Sequence, residues 1–346
     1  MYPELGSVCL WPNGPDRKYA TMISPTVSFI IPVLNGEKYI ERCLLSIKNL
    51  ISPVDIYEVI IMDNGSTDNT HQIIADLGFK FHVIKGVNVS ALRNQATKQA
   101  NGRYFAFVDS DVELSPSWIE SALSSFSDKS VVASGCFPRV PPDATWVQAT
   151  WDIHQSQRQS ITTKQTVAWL PSMNLVVRRE DFLKIGGFDE NLETAEDVDL
   201  CYRLGARGTI LCEPAMEAIH WGEAQDLKTF WRKEIWRGSS NLEGILSHGL
   251  RWDELPSLGY PIYVLMATLL CMAAPLIDLW QWRILLMPFG LFSLTLPAMC
   301  LAINTAYRTQ RLEALPKLFV LYFIYGLARA YSLVRACVRS FGSRKR

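Results

Sequence analysis

Two short acidic clusters hold the residues best placed to do chemistry. In FVDSDVELSP (107–116), an apolar run ends in Asp109 and Asp111 with one serine between them; in AEDVDLCYR (195–203), Glu196, Asp197 and Asp199 fall within four residues. Extended chain puts Asp109 and Asp111 on the same side, where a second ionised carboxylate is disfavoured unless a cation offsets the repulsion. One reading of the pair is ordinary: Asp at a strand end satisfies the loop backbone that follows. The other is a divalent cation, since Mg²⁺ or Mn²⁺ takes one or two carboxylates from a protein and the rest of its shell from water and a substrate's phosphates. The second cluster, read alone, fits a solvated helix N-terminus, where the dipole favours acidic side chains. No Ser-His or Cys-His arrangement marks a covalent nucleophile.

The segments around these residues alternate strand and helix signals, the pattern of an α/β domain. VSFIIPV (27–33) is a continuous apolar run, as in a strand covered on both faces, and a helix carrying Ile40, Leu44, Ile47 and Ile51 follows it. YEVIIMD (57–63) predicts a second strand; the turn NGST leads into a helix with Ile73, Ile74 and Leu77 that Gly78 closes. FHVIKG, a short helix from Ser90 that bears Arg93, the strand running to Asp109, a helix from Pro116 and VVASGCF continue the series. In open α/β sheets ligands bind beyond the carboxyl ends of the strands. Asn35, Asp63, Asp109 and Asp111 all stand at such ends and are expected to gather along one edge.

Bulk composition narrows the choices. Lys+Arg and Asp+Glu are both 34 in 346 residues, so there is no overall basic field to attract nucleic acid. The eight cysteines are scattered without a CxxC pair, which fits a reducing compartment better than a disulfide framework or structural zinc. The opening MYPELGSVCLWPNGPDRKY has neither the basic nor the apolar region of a secretory leader, and residues 1–24 are expected to be an extension outside the domain.

The ordered set IIPVLNGEKYIERCLLSI, IIMDNGSTDNT, ALRNQA, FVDSD, GGFDE and AEDVDLCYR resembles the family 2 glycosyltransferases of GT-A fold over about residues 27–222. The resemblance implies a GT-A, Rossmann-like domain over 25–250 and a nucleotide-sugar donor touched by Pro32, Asn35, Asp63, Arg93, Asp109 and Ser110. It places Asp63 at the base, Arg93 near the nucleotide, and Asp109 and Asp111 on a Mn²⁺ or Mg²⁺ ion that bridges the diphosphate. Many enzymes of this fold place a further metal ligand where His220 falls. Asp197, beside Glu196, becomes the general base that takes the acceptor hydroxyl's proton, with inversion at the anomeric carbon. Trp169, Gly187, Phe188 and Asp189 are assigned to the acceptor side. Processive synthases of the fold carry a Q/RxxRW motif; WRKEIWRGSSN has Trp236 before Arg237 and no Gln or Arg where the motif begins, which favours one sugar per encounter.

Beyond residue 257 the composition changes. Residues 258–277 and 284–304 are uncharged runs about as long as a bilayer core requires, and DLWQWR between them brings two tryptophans suited to an interface. Residues 317–340 are interrupted by Arg329, Arg335 and Arg339 and predict either an interfacial amphipathic helix or a third span. Basic residues in the loop YRTQRLEALPK and in the tail SRKR place both on the cytoplasmic side if two spans cross. The expectation is therefore a multi-pass membrane protein with a cytosolic catalytic domain, at the plasma membrane if bacterial. It would move a single sugar from a nucleotide-sugar donor, with a UDP-sugar as the leading case, to a lipid-linked or cell-envelope glycan acceptor, with membrane lipid as a further partner. The alternatives are a polyprenyl-phosphate sugar transferase and a non-catalytic membrane scaffold of the same fold.

Overall fold

The computed structural model describes residues 25–52, 56–159, 162–238, 255–273 and 280–343. They divide into two compact units, one formed by residues up to 139 with 161–191 and 196–222, the other by 140–160, 192–195 and residues from 223 onward.

The first unit is built on an eight-stranded sheet. Its strands are β1 (Val27–Val33), β2 (Tyr57–Asp63), β3 (Phe81–Val83), β4 (Tyr104–Val108), β6 (Val131–Gly135), β7 (Gln165–Thr166), β8 (Asn174–Arg178) and β9 (Thr209–Cys212), in the order β3-β2-β1-β4-β8-β6-β9-β7. β1 runs parallel to β2 and β4, whereas β8 runs antiparallel between β4 and β6. A separate ribbon pairs β5 (Val112–Leu114) with β10 (Ala218–His220).

The uninterrupted apolar character of β1 follows from burial on both faces. Phe29, Ile31 and Val33 join a core with α1 (Ile40–Lys48), α2 (Thr70–Asp76) and α4 (Trp118–Ser125), while Ile30 faces the other core, with Leu92 and Ala96 of α3 (Val89–Gln99), Phe182 of α6 (Arg179–Lys184), and Leu200 and Leu204 of α7 (Glu196–Gly205). β1, β2 and β4 are adjacent and parallel, so their carboxyl ends deliver Asn35, Asp63 and Asp109 to one edge, as expected from the sequence. The antiparallel insertion of β8 carries no marker in its local pattern: its buried NLVV reads like any other covered strand.

The second unit contains α5 (Trp146–Gln159), α8 (Leu227–Arg237), α9 (Leu255–Ala273), α10 (Trp280–Arg308) and α11 (Leu315–Ser343). Its core joins Val147, Trp151 and Phe230 to Ala298, Ala302, Leu318 and Tyr322. The Tyr322 hydroxyl lies 2.7 Å from both His154 Nδ1 and Thr305 Oγ1. Buried Glu234 pairs with Arg237 (2.7 Å) and Arg329 (3.0 Å), and Arg237 also reaches Glu223 (3.1 Å).

Among the described residues, Pro288–Arg308 and Leu312–Ala336 are long and apolar enough to cross a membrane, by length and composition. Gly259–Ala273 is a shorter apolar helix, and the last four residues of the span expected at 258–277 lie outside the described residues, as do residues 1–24. The stretch expected as interfacial or as a third span is thus one continuous helix that meets the length criterion.

Candidate active site

At one side of the sheet edge, two loops lock each other. Asn35 takes a left-handed conformation (φ 52°) after β1; its amide donates to Ser66 Oγ and its side-chain oxygen accepts from the Thr67 amide. The Glu37 amide donates to Asp68, and the Asn69 amide to Glu37. Asp63 is fully buried beneath this turn. Its Oδ1 accepts from the amides of Gly65 (2.7 Å) and Ser66 (2.8 Å), its Oδ2 from the Ser66 hydroxyl, and His71 Nε2 lies 3.0 Å from Oδ1. Burial alone would raise the Asp63 pKa, but hydrogen bonds from Ser66 and His71, with those two amides, bring it below the usual carboxylate value. Both oxygens of the residue expected at the base thus organise the turn. Pro32 is buried inside β1, in register with Met62, whereas Asn35 is exposed.

At the centre, Arg93 is 2% exposed and lies between the two acidic clusters. One guanidinium nitrogen is 2.8 Å from Asp109 Oδ1, the other 2.9 Å from Glu196 Oε1, and Phe188 stacks against it at 5.2 Å. The arginine expected near the nucleotide is therefore a shared counterion that ties the strand-end carboxylate to the acidic pair of α7. Burial, and the neighbouring Asp111, raise the Asp109 pKa despite Arg93. Asp197 is pushed up to about 7, first by burial and then by the charge of Glu196; its Oδ1 accepts from the Val198 amide.

On the other side of Asp109, Asp111 Oδ2 lies 3.3 Å from His220 Nε2. Ser110, between the two aspartates, is partly buried. A Cβ built on Gly222 would fall 1.7 Å from Asp111 Oδ2, so the carboxylate occupies the space that the glycine leaves. Among the described residues, no three His, Cys, Asp or Glu side chains form a group able to hold a metal ion by themselves. The Asp111–His220 pair in its glycine cradle fits a cation that completes its shell from a phosphorylated substrate, as Mg²⁺ and Mn²⁺ do.

Of the residues expected on the acceptor side, Gly187, Phe188 and Asp189 belong to one turn, and Trp169 lies outside it. Gly186 and Gly187 have φ of 81° and 78°. Asn94, which no motif argument assigned a role, grips the turn: its Nδ2 donates to the Phe188 carbonyl and to Glu190, and its Oδ1 accepts from the Phe188 amide. Arg203 donates to the carbonyls of Ile185 and Gly187. Phe188 is buried against Phe107 and Phe182, Asp189 accepts from Asn191, and half-buried Trp169 meets Phe137 edge to face. Asn94 sits beside Arg93 in ALRNQA, and its adjacency is the only local signal that could have found it.

The chain is similar to known glycosyltransferases. Residues 28–186 match the family described as Glycosyl transferase family 2, and residues 144–238 match Glycosyltransferase like family 2. The pre-mycofactocin glycosyltransferase of Mycobacterium tuberculosis is 29% identical over 243 residues, 66% of this chain and 48% of that protein. The glycosyltransferase AglE of Haloferax volcanii is 29% identical over 211 residues, 56% of this chain and 69% of that protein. The chain thus spans about half the length of the first of these relatives. Among solved structures, the mannosyltransferase PcManGT from Pyrobaculum calidifontis, in complex with GDP-Man and Mn²⁺, superposes with a TM-score of 0.58 at 17% identity, covering 95% of this chain and 90% of that one. That likeness establishes a shared fold.

Proposed function

Because residues 28–186 match the family described as Glycosyl transferase family 2, we propose that the chain is an inverting enzyme moving one sugar from a nucleotide-sugar donor, UDP-linked, to a lipid-linked or envelope-glycan acceptor at the cytosolic membrane face. The observation that carries this reading is Arg93, a single buried cation joining the Asp109 side of the site to the Glu196–Asp197 pair. The donor's diphosphate belongs on the first side and the acceptor hydroxyl on the second. Asp197 acts as the base: the acceptor oxygen bonds to the anomeric carbon as the bond to the diphosphate breaks, and the hydroxyl proton passes to the Asp197 carboxylate. A pKa near 7 suits a general base at neutral pH. Glu196 and Arg93 act on that carboxylate through their charges, and the Val198 amide orients it. Asp63 shapes the turn against which the nucleotide base rests.

Asp111 and His220 would hold the divalent cation, with Asp109 beside them. That ion, when bound, supplies positive charge to offset the charge building on the departing nucleoside diphosphate. The Mn²⁺ bound by the mannosyltransferase of the same fold supports the assignment. Membrane attachment falls to α9 and α10, which expose Met266, Leu269, Met272, Phe289, Leu291 and Phe292.

The test is a panel of UDP- and GDP-sugars scored for sugar release and for protection against melting, with Mn²⁺, with Mg²⁺ and with chelator. Release from one donor that depends on the added cation is the expected result. Release that persists undiminished in chelator removes the cation from the mechanism, and no release or protection by any donor removes the enzymatic reading.

A further inference from the structure

Asp111 directly precedes β5 and His220 ends β10, and the ribbon between them has only three residue pairs: Ala218 with Leu114, Ile219 with Glu113 and His220 with Val112. Arg139 flanks β10 as the bridge partner of Ile219, its amide donating to the Ala218 carbonyl (2.9 Å) and its carbonyl accepting from the His220 amide (2.8 Å), and Val112, Leu114 and Ala218 are buried in the core. A side-chain cluster just past the last pair supplies support from a third element. Trp221 donates its indole N–H to Glu113 Oε2 at 2.8 Å. Arg42 of α1 reaches the same oxygen at 3.3 Å and lays its guanidinium 3.8 Å from the centre of the Trp221 ring. The Trp221 amide donates to the Asp111 carbonyl at 2.9 Å, and the next residue is Gly222, whose α-carbon abuts the Asp111 carboxylate. Cys43, beside Arg42, donates its thiol to the Asp109 carbonyl at 3.5 Å. Helix α1 therefore holds both the turn that carries the two aspartates and the strand that carries His220.

We infer that Arg42, Glu113 and Trp221 form a clamp that sets the separation of Asp111 and His220 and thereby positions the divalent cation of the donor site. The inference rests on the cation assignment made above. A seat with few protein ligands depends on its supporting shell for geometry, and loss of such support typically weakens metal binding about 10- to 100-fold. Arg42 and Glu113 side chains are 49% and 32% exposed, and ion pairs so open to water add little to stability. The cluster's effect is therefore on geometry at the seat, which separates it from a purely structural role.

Mn²⁺ binding to the full chain in detergent, with UDP present, is read directly from loss of the free-ion electron paramagnetic resonance signal. Trp221→Phe keeps a ring under Arg42 but lacks the N–H; Glu113→Ala lacks the acceptor. Each is expected to weaken Mn²⁺ binding about tenfold or more, and the double variant is expected to be no weaker than the worse single one, because both delete the same hydrogen bond. Glu113→Gln still accepts from the indole and should bind close to the unsubstituted chain. Melting temperatures measured without metal should stay together across the set. Unchanged Mn²⁺ binding in Trp221→Phe and Glu113→Ala overturns the clamp and leaves the cation site standing. If the unsubstituted chain binds no Mn²⁺ with UDP or with GDP, the cation site and the clamp fall together.

Discussion

Asp197 stands against Glu196 at the start of a helix, and its two protonation states serve different ends. Burial first, and the Glu196 charge second, lift its pKa from 3.8 to about 7. The fold thus favours the protonated form. This group's contribution to stability is fully present below pH 3.8 and is lost as pH rises toward 7. As the proposed base, Asp197 must be ionised, so turnover should climb as pH passes through about 7. Glu196→Gln removes one of the two raising influences, and the midpoint of the pH–rate curve should move to lower pH; a midpoint that stays in place would take Glu196 out of the tuning. Asp197→Asn should lower turnover by at least about 10²-fold, the usual scale of general-base catalysis. Nucleoside diphosphate binding, followed by melting-temperature shift, should survive that change nearly intact.

At the scale of elements, the turn from Ile185 to Glu190 shows why two adjacent glycines have different duties. Both have positive φ, which costs a residue with a Cβ about 1–2 kcal/mol. At Gly186 a Cβ meets nothing within 4 Å, whereas at Gly187 it meets Asn94 Oδ1 at 2.6 Å and the Phe182 ring at 3.2 Å. Gly186→Ala should therefore pay the backbone strain alone. Gly187→Ala should also break the Asn94 bridge, adding about 1–3 kcal/mol for polar groups left unpaired. Thermal unfolding of the pair measures the difference directly: equal midpoints would show that Asn94 does not hold the turn. Asn94 and Phe188 are 94 residues apart, and nothing in the local pattern of either announces the partner. The strands, by contrast, were legible because a continuous apolar run has few other places to go than a sheet covered on both faces.

For the whole molecule, the helices of the second unit decide how hydropathy is to be understood. Leu312–Ala336 is apolar enough for a span, yet it contains Arg329, whose guanidinium lies 3.0 Å from buried Glu234 of α8. α8 itself carries Lys228, Arg232, Lys233 and Arg237 besides Glu234. A charged side chain inside hydrocarbon is costly and is found paired, and Arg329 has such a partner in Glu234. Removing one member of such a buried pair leaves the other uncompensated and costs about 3–5 kcal/mol. Glu234→Ala should lower the melting temperature markedly, and a midpoint within a degree or so of the unsubstituted chain would argue that the network is not needed. For membrane attachment through α9 and α10, Met266→Glu with Phe292→Glu should weaken flotation on anionic liposomes while leaving the melting temperature close to unchanged, because both side chains are exposed; undiminished flotation would move the contact elsewhere.

Local patterns by themselves determined the alternating strands and helices and the edge at which Asn35, Asp63 and Asp109 meet, because each depends on short runs whose burial or turn chemistry is encoded where it acts; the ordered motifs carried the family resemblance. They marked Asp109, Asp111, Glu196, Asp197 and His220 as residue types suited to the chemistry. Tertiary structure alone decided their relations: that Arg93 is a buried counterion between two clusters, that both oxygens of Asp63 accept hydrogen bonds from its own turn, and that α5 and α8 join the C-terminal helices as a second unit. The reason is physical. A carboxylate's pKa, an arginine's partners and a helix's surroundings are set by groups brought together from about a hundred residues away, such as Arg93 and Glu196, and separation along the chain leaves no local trace of such pairings.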